Sequence, residues 1–180
     1  MSCNISAELI DETIAFHGHT CPGLAIGIRA SELAIQLLGR PEETELIAIS
    51  ETDMCGVDAI QFLTDCTLGK GNFLHRDYGK KAFTFYDRKA EKGFRALLND
   101  GAQSVPDQEE RSAMLDRYMT TELEDMFTVT WLDCPPPRPA QILESLTCDE
   151  CGESVMESRT RRYAGKTYCI PCFDGVDQKI

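Results

Sequence analysis

The sequence predicts an α+β fold, a small sheet covered by helices, with a small zinc-finger domain appended at its C-terminus. Three observations carry this. Segments with a 3.6-residue apolar period alternate with short β-branched and aromatic segments over residues 1–133. A proline run, Cys134-Pro135-Pro136-Pro137-Arg138-Pro139, then interrupts any regular element, and two Cys-x2-Cys pairs follow it. The organisation expected is a core domain over 1–133, a Pro-rich linker over 134–145 and a finger over 146–180.

Ala7 to Phe16 reads as a short first helix. Leu24, Ile28, Ile35 and Leu38 fall on one helical stripe, and Pro22 just inside the start with Gly39 just past the end frames a helix of about four turns. Ala25, Ile26 and Ala30 lie outside that stripe and would let a second copy of the chain approach closely. Glu45 to Ser50 is a strand. Ala59, Phe62, Leu63 and Cys66 recur at i, i+3, i+4 and i+7, which makes Val57 to Cys66 a helix and leaves Cys66 as buried filling on its apolar stripe. Ala82 to Tyr86 alternates as a strand does, and Phe127 to Leu132 is β-branched and aromatic enough for another. Between them Pro106, with Asp107, Glu109 and Glu110 in the first turn, opens a helix whose Leu115, Tyr118, Met119, Leu123 and Met126 face one way.

Composition narrows the function. With 42% hydrophobic and 27% charged residues the chain is neither disordered nor fibrous. No apolar run approaches the roughly 18 residues of a membrane span. The start, Met1 to Ser6, lacks a basic region followed by an apolar stretch, so a cytoplasmic protein with no membrane partner is expected. Of the net charge of −12, residues 1–145 hold 24 acidic and 13 basic side chains and residues 146–180 hold 6 and 5. Such an acidic body is a poor platform for nucleic acid, and Arg159, Arg161 and Arg162 read as the solvated face of a hairpin. Nine cysteines, an odd number without a secretory signal, argue for thiolate or metal chemistry over a disulfide framework.

Cys148, Cys151, Cys169 and Cys172 have the spacing of a structural zinc site, C-x2-C, seventeen residues, C-x2-C. Two residues between paired cysteines let a tight turn aim both thiolates at one ion, and Gly152 supplies backbone freedom after the first pair. Four thiolates close the coordination sphere, which excludes catalysis there.

The core has a second polar cluster, His17-Gly18-His19-Thr20-Cys21-Pro22-Gly23. On an extended segment its His17, His19 and Cys21 would share one side. Cys21 falls at the start of the helix opened by Pro22, and Cys55, after Asp53-Met54, at the start of the next; unpaired amides and the helix dipole favour a thiolate at both. His17, His19, Cys21 and Cys55 could thus hold a second divalent metal in a mixed N/S set. In the alternative, Cys21 or Cys55 is a nucleophile with His17 or His19 as base and Lys70, in the loop Cys66-Thr67-Leu68-Gly69-Lys70-Gly71-Asn72, binds an anionic substrate. The Walker spacing is missing from that loop, which excludes a nucleoside triphosphate.

The His17-to-Gly23 motif, Asp53-Met54-Cys55 with Asp58-Ala59-Ile60-Gln61, and the Cys66-to-Asn72 motif, in that order, resemble the FmdE-like family, whose name derives from formylmethanofuran dehydrogenase. The resemblance covers essentially the whole chain, since members often carry a treble-clef type finger like the Cys148, Cys151, Cys169, Cys172 set. It implies an α+β core, homodimers, and a metal-capable pocket built from the His17-to-Cys21 and Cys55 motifs. It also implies a metal-binding accessory protein or subunit beside a molybdenum- or tungsten-dependent oxidoreductase partner of one-carbon, formate-level metabolism. The third function weighed is a zinc-finger adaptor.

Overall fold

Residues 3–99 and 107–176 are described by the structure, a computed structural model. The chain divides into two compact units, Met1–Pro139 and Ala140–Ile180. In the first, helices α1 (Ala7–His17), α2 (Pro22–Leu38) and α3 (Gly56–Thr64), then α4 (Gln108–Thr120) and the short α5 (Leu123–Met126), accompany five strands. These are β1 (Leu46–Ser50), β2 (Phe73–His75), β3 (Ala82–Asp87), β4 (Lys92–Leu98) and β5 (Phe127–Leu132), in the spatial order β2-β1-β3-β4-β5. β1 and β2 run parallel and the other pairs antiparallel. The fold is α+β.

Register explains the core. Ala48, Phe85, Phe94 and Trp131 are successive cross-strand partners, so their side chains line one face of the sheet. On that face Ala48, Phe85 and Phe94 join Ala25, Ile26, Ala30, Leu33 and Ala34 of α2 in the main core, while Trp131 on the edge strand stays half exposed. The opposite face carries Ile47, Ile49 and Tyr86, with Leu74 and Leu132 packed against them. Tyr86 lies over Gly93, where a Cβ would fall 2.2 Å from its ring, so this strand position has to be glycine. The proline-rich stretch is tied down beside it. Tyr86 OH and Cys134 Sγ share a hydrogen bond of 2.9 Å, and Arg88 donates to the Pro137 carbonyl at 3.0 Å.

α2 is buried from Leu24 to Ala34, between the sheet and its neighbour helices. This corrects the expected dimer face: Ala25, Ile26 and Ala30 are 1%, 3% and 0% exposed within a single chain and are closed to a second copy. Even Arg29 is inside. Its guanidinium meets Glu32 at 2.8 Å and donates to the Thr121 carbonyl, while Glu32 accepts from the backbone and side chain of Asn4. The pair ties the N-terminal segment and the end of α4 to α2, and each charge offsets the other where an unpaired one would be costly.

Two strands and two helix ends differ from the sequence reading. β2 has three residues, and in β4 Gly93 interrupts the alternation. α4 stops at Thr120 because Thr121 turns extended, with Thr120 and Thr121 hydroxyls bonding back to the Asp116 and Arg117 carbonyls; α5 resumes at Leu123. Asp107 and Glu110 form a reciprocal capping box at the start of α4, and Pro106 lies outside the described residues. α3 ends at Thr64 because Asp65 is left-handed (φ 57°), so Cys66 is off the helix although fully buried.

The second unit comprises the hairpins β6 (Ser145–Thr147) with β7 (Ser154–Met156) and β8 (Thr160–Tyr163) with β9 (Lys166–Cys169), followed by α6 (Ile170–Asp174). Among the described residues no helix is long and apolar enough to cross a membrane.

Candidate metal centres

The finger site is assembled from a turn and a hairpin end. Cys148 and Cys151 flank a tight turn after β6, closed by Gly152 N–H to the Cys148 carbonyl at 2.9 Å, with Gly152 at φ 75° where other residues would be strained. Cys169 ends β9 and Cys172 lies in α6. All four sulfurs lie within 4.8 Å of one another, and those of Cys151 and Cys169 are 4.0 Å apart. A tetrahedral zinc with bonds of about 2.3 Å needs sulfur separations of about 3.8 Å, so the set fits. Backbone amides, Cys151 and Cys169 foremost, hold the Cys148 thiol down at about 6, whereas hydrogen bonding to Cys169 raises that of Cys172. Thiols this close cannot all ionise without a cation between them, and binding one would displace their protons.

The core site depends on a helix crossing. α2 and α3 touch backbone to backbone: a Cβ on Gly27 would stand 2.1 Å from the Gly56 carbonyl oxygen, and one on Gly56 2.7 Å from that of Gly23. The crossing brings the two helix starts together. Cys21 is the N-cap of α2, its sulfur accepting from Leu24 N–H at 3.3 Å, and Cys55 is the N-cap of α3. His17 closes α1, Gly18 reverses the chain at φ 92°, and the rings of His17 and His19 lie tilted by 39° with centroids 4.4 Å apart. Each of His17, His19, Cys21 and Cys55 has a ligand atom within 4.8 Å of the others.

The convergence has a different origin from the extended segment that the spacing suggests. His17 belongs to a helix, and the left-handed Gly18 folds the segment so that it meets the two cysteines. Two groups in the site are in states that a cation would relieve. His17 Nδ1 contacts Asp58 Oδ2 at 2.7 Å, which leaves its buried Nε2 without a hydrogen-bond partner. Burial, and then the neighbouring Cys21 thiol, push the Cys55 thiol up. A cation would answer both, and imidazole with thiolate suits zinc and its late first-row neighbours.

Lys70, expected to bind an anion, is engaged by a neighbour. Its ammonium pairs with Asp65 of the same loop, and Thr67 and Asn72 hold that loop closed by bonding to each other. All nine cysteines are unbridged, and burial pushes the Cys66 thiol up to about 11, which makes it inert filling. Asp58 stands in the second motif of the sequence, but its contact with His17, like the Gly27–Gly56 contact, is not visible there. Asp58 sits three residues after Cys55, one helical turn on, and that spacing is the available signal.

Comparison with known proteins finds relatives of both units. Residues 16–128 match the family model described as FmdE, molybdenum formylmethanofuran dehydrogenase operon, and residues 141–178 match the prokaryotic dksA/traR C4-type zinc finger. A protein of Archaeoglobus fulgidus named "Probable S-adenosyl-L-methionine-binding protein" is 31% identical over 192 residues, covering 86% of this chain and 52% of that protein. The chain thus spans about half the length of that curated relative. The crystal structure of a tungsten formylmethanofuran dehydrogenase FmdE-like protein from Syntrophus aciditrophicus superposes with a TM-score of 0.70 at 26% identity, covering 99% of this chain and 98% of that one.

Proposed function

The chain belongs to the FmdE family, and on that premise we propose that it is a metal-binding accessory subunit for a molybdenum- or tungsten-dependent oxidoreductase of one-carbon, formate-level metabolism. Its core cluster is the working site and its finger the structural one. The observation that carries the reading is the buried, unpartnered Nε2 of His17 within reach of His19, Cys21 and Cys55. A divalent ion held by those four residues would supply Lewis acidity to any group that joins its coordination sphere. The residues themselves supply an apolar, half-buried surround and, through the exposed His19, a ligand on the solvent side. Family membership also supports a second copy of this chain and an oxidoreductase chain as its protein partners.

A cysteine nucleophile with a histidine base is less well supported. Lys70, its expected substrate anchor, is taken up by Asp65, and His17 directs one nitrogen to Asp58. Alkylation separates the two readings. With metal at the core, added zinc slows the alkylation of both Cys21 and Cys55 at least tenfold; equal rates with and without zinc would refute the core site.

A further inference from the structure

We infer that Asp58 is the positioning residue of the core centre: it fixes His17 in the tautomer that carries its proton on Nδ1 and so keeps Nε2 free for a metal. This rests on the core-site reading above and adds the group that prepares its least exchangeable ligand. The contact is 2.7 Å, between Nδ1 on the last residue of α1 and Oδ2 in the first turn of α3. The His17 side chain is 9% exposed and that of Asp58 41%, so the carboxylate reaches in from a wet position to a nearly dry ring. An ionised carboxylate only accepts hydrogen bonds, so a neutral imidazole beside it must place its proton on Nδ1. Nε2 is then a bare lone pair with no hydrogen-bond partner. Metal-bound histidines are commonly oriented in this way by a carboxylate behind them.

Two simpler roles for Asp58 give different expectations. An acidic residue in the first turn of a helix is favoured by the dipole, and in that role alone its removal would slightly weaken the fold and leave the imidazole tautomer unchanged. A direct ligand role is not offered by the geometry, since the side chains whose ligand atoms lie within 4.8 Å of one another are His17, His19, Cys21 and Cys55, without Asp58. Positioning alone links Asp58 to the His17 proton.

The test uses the full chain with zinc in its finger, titrated with Co²⁺ and followed by the visible bands of a thiolate-bound cobalt ion. Asp58→Asn keeps the shape and removes the charge, and because an amide can donate to Nδ1 as well as accept from it, the tautomer is no longer fixed and the proton can move to Nε2. Co²⁺ binding should weaken 10–100-fold. The band positions at saturation should stay unchanged, and finger zinc should be retained as evidence of folding. Nitrogen-15 NMR of the imidazoles, on protein with zinc in the finger alone, should show His17 protonated at Nδ1 in the wild type and shifted toward Nε2 in the variant. Asp58→Glu should restore part of the affinity. Co²⁺ affinity within twofold of wild type in Asp58→Asn, or a wild-type His17 protonated at Nε2, would overturn the inference while leaving the metal site standing. A wild-type chain that takes up no Co²⁺ beyond the finger would overturn both.

Discussion

At the scale of single residues, charge and partner decide behaviour more than residue type does. Cys66, Cys134 and Cys21 share a side chain, yet the first is sealed in the core, the second bonds Tyr86, and the third caps a helix in the metal-capable cluster. Glu51 offers a pH test of the same principle. Arg95 grips its carboxylate through two hydrogen bonds of 2.6 and 2.8 Å, outweighing the effect of burial, and the charges of Lys80 and Arg76 add to the lowering of the Glu51 carboxyl. Since the folded value is depressed, the pair's contribution is fully present above the ordinary glutamate value of about 4.3 and is lost as pH falls through the lowered one. Glu51→Gln should therefore cost roughly 1.5–3 kcal/mol at neutral pH, the range for hydrogen bonds to charged groups. The gap from wild type should narrow at about pH 3. Urea melts at both pH values check this, and a gap of constant size would contradict it.

The crossing of α2 and α3 is the element-scale feature on which the core site depends, because it sets Cys21 and Cys55 side by side. Gly27→Ala would drive a methyl into the backbone of Gly56, which cannot rotate away, so the helices must part. A loss of about 1–3 kcal/mol is expected, as for other overpacked cores, together with weaker metal uptake at the core site. Gly69→Ala, at a position with nothing within 4 Å of the added methyl, is the control and should be nearly silent. Thermal melts of the two variants that coincide would contradict the role given to the crossing. Much of this layer is readable in the sequence. Pro22 and Gly39 bracket α2, and β1, β3 and β5 follow from their apolar, alternating or β-branched residues. What escapes depends on partners remote in the chain. Gly27 matters because of Gly56, Asp58 because of His17, and Arg29 is buried because Glu32 and the Thr121 carbonyl receive it. Local periodicity carries no record of such meetings. β4 escapes because Gly93 makes room for Tyr86 and so interrupts the pattern that would mark a strand.

For the whole molecule, the two units differ in what holds them together. The first has an extended apolar core, whereas in the second only Cys148, Tyr168 and Cys169 are buried among the described residues, two of them metal-capable ligands. Without the ion the second unit has little to offset its chain entropy, so zinc binding and folding should be one event there. The first unit, by contrast, should stay folded whether or not its cluster is filled. Two metal centres of different kinds in one chain are the central claim, and metal analysis of protein purified without added metal tests it most directly. Wild-type chain should carry two equivalents. Cys21→Ser should lose the core equivalent with the fold intact, and Cys151→Ser the finger equivalent with loss of structure confined to residues 140–180. One equivalent in the wild type, unchanged in Cys21→Ser, would contradict the core centre.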